Sequence, residues 1–217
     1  MVAVAAISLK DVVAPGLRVM GAFHGGPKDG LPSGCGTLVL LGPGVDFWPV
    51  FSGSAEGKDG HPDPVDRWSE RVISELAKSL GGVAIFPFGG PPYAPFLTWA
   101  LKSGRAWSSP VGMLVHDSTG LMVSYRGALA FTQRLDLDGA GKMPCDGCAR
   151  PCETACPVGA LGPDGYDTRT CHAFLDTSEG TDCLNNGCKA RRACPVSAGA
   201  GRVEAQSAHH MRYFHPD

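Results

Sequence analysis

Charge is scarce and nearly balanced in this chain of 217 residues: 19 lysines and arginines stand against 21 aspartates and glutamates, a formal net charge of −2. Nucleic acids and anionic membrane surfaces are bound through an excess of basic residues, so neither is an expected partner. No apolar run approaches the length needed to span a bilayer, and no membrane association is expected. The N-terminus has no basic stretch ahead of its short apolar run, which Lys10 and Asp11 end too early for a signal peptide. These absences predict a cytoplasmic, reducing setting, where clustered cysteines are metal ligands or catalytic groups rather than disulfides. Nucleotide fingerprints are missing too: there is no G-x-G-x-x-G after a strand and no G-x₄-G-K-[ST], so the many glycines read as turn formers.

Cysteine is almost absent from the first two-thirds of the chain and then abundant. Of nine cysteines only Cys35 precedes residue 145, and the other eight lie between Cys145 and Cys194. The first four stand in Cys145-Asp-Gly-Cys148-Ala-Arg-Pro-Cys152-Glu-Thr-Ala-Cys156-Pro157. Soft thiolates select zinc, Cu(I) or iron–sulfur clusters, and the bacterial cluster run is C-x₂-C-x₂-C-x₃-C-P, whose fourth cysteine ligates the other of two clusters. Here one extra residue, Pro151, widens the second gap.

The remaining four are Cys171, Cys183, Cys188 and Cys194, and the set again ends in Cys-Pro, at Pro195. Eight thiolates make two sets of four. Crosswise ligation assigns Cys145, Cys148, Cys152 and Cys194 to one [4Fe–4S] cluster and Cys156, Cys171, Cys183 and Cys188 to the other. Structural zinc is the competing reading, although zinc sites use two well-separated cysteine pairs, whereas four cysteines crowd into this first run. Lys189, Arg191 and Arg192 lie between two of the proposed ligands, where they either offset cluster charge or form an ordinary solvated turn.

Upstream, residues 1–13 read as a short helix and Leu17 to Phe23 as a strand. Thr37 to Leu41, bounded by Gly36 and Gly42-Pro43-Gly44, reads as a buried strand. Asp63-Pro64 predicts a helix start, with Asp63 as N-cap, and Val65, Trp68, Val72, Leu76 and Leu80 predict one apolar face running to Gly81. Val83 to Phe88 reads as a strand and Leu97 to Lys102 as a helix. Val111–Val115 and Leu121–Tyr125 read as a hairpin joined by His116-Asp-Ser-Thr-Gly120. Cys35 reads as a turn or core residue, His24 and His116 as polar loop residues, and His209, His210 and His215 as parts of a polar tail.

The strand pair through Val111–Val115 and Leu121-Met-Val-Ser-Tyr125-Arg126-Gly127, the C-x₂-C-x₃-C-x₃-C-P run, Tyr166-Asp-Thr-Arg-Thr-Cys171 and the closing Cys-Pro together resemble the C-terminal half of epoxyqueuosine reductase. Reductive dehalogenases are similar in the same parts, over roughly residues 83 to 197. Asp63-Pro-Val-Asp66 and Tyr125-Arg126-Gly127 also resemble the cobalamin-processing decyanase of the nitroreductase superfamily. The resemblance implies an α+β protein: a nitroreductase-like mixed α/β domain over 1–141, then a ferredoxin-like module with two [4Fe–4S] clusters and a polar tail over 142–217. It implies electron transfer to a redox partner protein or, in the alternative, to a cobalamin or flavin on the first domain, with Tyr125 and Arg126 as cofactor contacts. The reductase's general-acid segment would fall at Phe86-Pro-Phe-Gly-Gly-Pro-Pro92, where no acid stands, so the cluster module carries over and that reaction does not.

Overall fold

The computed structural model describes residues 7–216, which divide into two compact units. The first comprises residues up to Arg105 together with Ser124–Ala140, and the second comprises Ala106–Val123 together with Gly141 onward. The chain therefore passes between units three times. Residues 106–123, expected in the first domain, belong to the cysteine-bearing unit.

The first unit contains β1 (Leu17–His24), β2 (Thr37–Pro43), α1 (Phe47–Gly53), α2 (Pro64–Leu80), β3 (Val83–Ile85) and α3 (Phe96–Lys102). Labels follow chain order, so β4 (Ala106–Ser108) and β5 (Leu114–His116) fall in the second unit, and β6 (Gly127–Phe131) closes the first. The sheet order is β1-β2-β6-β3, with every neighbouring pair antiparallel. Helices beside antiparallel sheets make the architecture α+β. Most of β2 is fully buried, as its unbroken Thr-Leu-Val-Leu-Leu run requires.

Period-2 alternation sorts the sheet residues. Val39 and Leu41 of β2 join Leu129 and Phe131 of β6 in one core with Ile73 and Ala77 of α2. The buried stripe of α2 is Val65, Trp68, Ser69, Ile73 and Ala77, so Val72, Leu76 and Leu80 flank it rather than define it. A second cluster joins Phe47 and Phe51 of α1 to Trp68, with the Phe47 and Trp68 rings edge-on at 5.2 Å.

Several boundaries differ from expectation for identifiable reasons. Asp63 precedes α2 in a left-handed conformation (φ 50°) and makes no side-chain capping bond, so Pro64 marks the start of the helix. β3 stops at Ile85, just before Phe86 and Pro87, whose ring nitrogen cannot donate to a ladder. Of the expected 1–13 helix, residues 1–6 lie outside the described part and Leu9–Asp11 form one 3₁₀ turn.

In the second unit β4 pairs with β5, the hairpin turning at Gly112 (φ 72°). The expected pairing of 111–115 with 121–125 does not form. Instead His116 and Gly120 exchange backbone hydrogen bonds of 3.1 and 2.9 Å across a tight turn, and the Leu121 N–H donates to Ser197 Oγ at 3.1 Å. The rest of the unit is β7 (Leu161–Gly162) paired with β8 (Gly165–Tyr166), then α4 (Thr168–Leu175), α5 (Thr181–Asn186), α6 (Lys189–Ala193) and α7 (Glu204–Phe214). The segment expected as a polar tail is thus mostly helix α7, with Gln206 and Ser207 buried.

Candidate metal centres

The sequence spacing places Cys145 and Cys148 on one exposed loop and lets Cys152 turn inward at its end. Arg150 adopts φ 53°, Pro151 opens a 3₁₀ turn over Pro151–Glu153, and Cys152 is 7% exposed while Pro151 stays at the surface. The extra residue in the run is thereby expelled outward, and the third thiol still points in. Cys194, far off in sequence, returns to the same place: its extended backbone is followed by Pro195 at the head of a 3₁₀ turn, Pro195–Ala200.

These four side chains border a single cavity of 360 Å³, together with Ser109, Val115, Leu121 and residues of the 144–151 loop. Burial raises the Cys145 thiol pKa, and the neighbouring Cys152, Cys194 and Cys148 sulfurs raise it further. Burial also pushes Cys152 up, followed by Cys194. The Arg150 backbone N–H points at Cys148 Sγ at 3.3 Å. Val111, Val115 and Leu121 pack with Cys152, Leu161 and Ala190 in one apolar cluster, against which Cys145, Cys188 and Cys194 lie. The hairpin is therefore the dry wall of this site.

Gly120 shows how close that wall comes. It sits at φ 55°, and a Cβ there would meet Cys194 Sγ at 2.8 Å and the Ser197 nitrogen at 2.6 Å. Only a residue without a side chain lets the turn and the Cys194 loop coexist.

The second set gathers around α4, α5 and the start of α6. Burial raises the Cys171 pKa, the Tyr166 hydroxyl lowers it, and the Cys188, Cys156 and Cys183 sulfurs raise it again. Cys183, 7% exposed, is likewise pushed up by burial, lowered by the Lys189 backbone and raised by Cys188. Two donors reach sulfurs of this set: the Ala160 N–H at 3.3 Å from Cys156 Sγ, and the Tyr166 hydroxyl at 3.1 Å from Cys171 Sγ. Cys156, although its loop also carries Cys152, acts electrostatically on Cys171 beside Cys188 and Cys183.

Lys189 and Arg192 both meet Asp182, at 3.5 and 2.5 Å, and Arg192 also donates to the Gly187 carbonyl. That pairing spends two of the three clustered cations on a carboxylate. Arg191 acts electrostatically on Tyr166. His215, expected in a loose tail, bonds His172 at 3.0 Å and Asp176 at 2.9 Å.

Elsewhere the candidate residues have structural partners. Cys35 Sγ donates to the Thr37 carbonyl at 3.4 Å, and burial pushes its thiol pKa up. His24 accepts from Arg134 at Nδ1 and so donates from Nε2 to the Leu135 carbonyl. His116 is a buried residue, 1% exposed, in contact with Asp117 and Ser118, and not a surface polar group. Tyr125 is 8% exposed with its ring near Phe96, and the Arg126 guanidinium reaches Asp66 at 3.3 Å. Burial raises the Asp66 carboxyl pKa and Arg126 lowers it.

Among the described residues, no three His, Cys, Asp or Glu side chains converge at the spacing of a single ion. A cluster asks for something wider, because each thiolate binds its own iron. No protein-family model matches the chain, and no match is found among curated proteins or solved structures. No described helix is long and apolar enough to cross a membrane.

Proposed function

We propose that this chain is an electron-transfer protein of ferredoxin type that holds two [4Fe–4S] clusters, one on Cys145, Cys148, Cys152 and Cys194 and one on Cys156, Cys171, Cys183 and Cys188. The supporting observation is the cavity bordered by Cys145, Cys148, Cys152 and Cys194, beside which the Cys188, Cys156 and Cys183 sulfurs act electrostatically on Cys171. The donor set fits the group: all-sulfur sites, partly buried, with N–H and O–H donors aimed at sulfurs and an open volume bordered by four thiols. When bound, such clusters accept and release single electrons. The chain's own residues exclude water at the first site through Val115 and Leu121, and direct hydrogen bonds at ligand sulfurs in both.

Cluster ligands are thiolates, so loading releases protons. Anaerobically purified protein is expected to carry about eight iron and eight sulfide per chain. Colourless protein with stoichiometric zinc would overturn the proposal.

The alternative, a corrinoid- or flavin-dependent reductase, draws on the resemblance and on the presence of a first unit with its own sheet and core. Tyr125 and Arg126 are not its best contacts, since one is buried and the other faces Asp66. A spectral change on adding cob(II)alamin or FMN to the anaerobic protein would favour it; reversible cluster reduction without either cofactor binding favours the carrier.

A further inference from the structure

The hydroxyl of Tyr166 is a side-chain donor, held at 3.1 Å from Cys171 Sγ, whereas the first site's donor at Cys148 is a backbone N–H. The geometry that holds it is specific. Tyr166 ends β8, and its ring stacks on Phe214 of α7 with centroids 5.8 Å apart and planes 11° from parallel. Phe214 in turn meets the His172 ring edge-on at 4.6 Å, one residue beyond the ligand Cys171. The last helix of the chain therefore fixes the orientation of one hydroxyl at one sulfur.

A hydrogen bond to a ligand sulfur withdraws charge from it, favours the more negative reduced state and raises the potential. Building on the cluster reading above, we infer that Tyr166 is a positioning residue that raises the reduction potential of the second cluster, and that α7 serves this role by clamping its ring. A bare structural role for the stack would leave the potential unmoved.

The test is an anaerobic redox titration of the full chain, followed by electron paramagnetic resonance, for wild type, Tyr166→Phe and Phe214→Ala. Tyr166→Phe keeps the ring and its stack and deletes the donor. It is expected to disfavour reduction at one site by about tenfold, which is 59 mV for one electron, with the other site unmoved. Phe214→Ala should shift the same site in the same direction by less, and adding it to Tyr166→Phe should shift it no further. Unchanged potentials in a Tyr166→Phe chain that holds both clusters overturn the inference. So does loss of one cluster's iron in that variant, because the hydroxyl would then hold the ligand in place instead of setting its potential. Wild-type protein without two clusters would instead overturn the proposed function, so the two failures are distinguishable.

Discussion

At the scale of single residues, two positions carry more than their size suggests. Gly120 is the contact point between the hairpin turn and Cys194, with no room for a Cβ. Gly120→Ala is expected to lower stability by about 1–3 kcal/mol through backbone strain and steric displacement. It should also cut iron content to about half, because Cys194 leaves the first group; iron analysis beside thermal unfolding reads both. Glu56 is the second position. Its hydrogen bonds from Arg71 hold the carboxyl down at about 2, against an ordinary 4.5. A carboxylate depressed by folding contributes fully above its unfolded value and loses that contribution as pH falls through the folded one. Glu56→Gln is thus expected to cost about 0.5–1 kcal/mol at neutral pH, after screening at the half-exposed Arg71. The gap to wild type should close between pH 4.5 and 2, as urea unfolding at several pH values would show.

At the scale of elements, legibility tracked how much of an element's identity lies in its own residues. Helix α2 was readable from Pro64 to Leu80 because its proline start, terminal glycine and apolar period all agree. Its true buried stripe was offset from the expected one because the sheet, not the helix, decides which flank is covered. Strand β6 was missed altogether. Gly127-Ala-Leu-Ala-Phe131 has a single strong β-former, Phe131, yet it lies between β2 and β3 and is buried throughout. A Cβ at Gly127 would come within 2.7 Å of Ile73 Cδ1, so the helix packs closely over this strand, a contact invisible in a local window. Ile73→Ala should accordingly cost about 2–5 kcal/mol in urea unfolding. The hairpin was half legible: residues 111–115 do turn, but their partner is β4, because the Leu121 backbone is taken by Ser197. Val115→Ala is expected to cost about 2 kcal/mol and to make the first site bleach faster in air than the second, followed by absorbance and iron release.

At the scale of the whole molecule, the cysteine pattern behind the proposed ligand groups was legible and the unit boundary was not. Cysteine spacing and Cys-Pro endings are covalent features of the chain, so the proposal of two sets of four rests on them as much as on the fold. The resemblance implied a cut at residue 141, but 106–123 belongs with the cysteines because Val111, Val115 and Leu121 need apolar partners that 142–217 supplies. A fragment of residues 142–217 is therefore expected to bind less iron than the full chain, the deficit falling on the first set. Adding 106–123 as a separate peptide should restore part of it, measured by iron content and visible absorbance.

The interleaving also has a consequence for the order in which the protein is made. By the time the ribosome reaches Ala140, every strand and helix of the first unit has been synthesised, together with the loop that runs from Ala106 to Val123. None of the eight clustered cysteines yet exists. N-terminal parts fold first during synthesis, so the β4–β5 hairpin is tethered at both ends to an already complete neighbour while Cys145 is still to come. Residues 106–123 are thus made and tethered before the later residues that Val111, Val115 and Leu121 pack against.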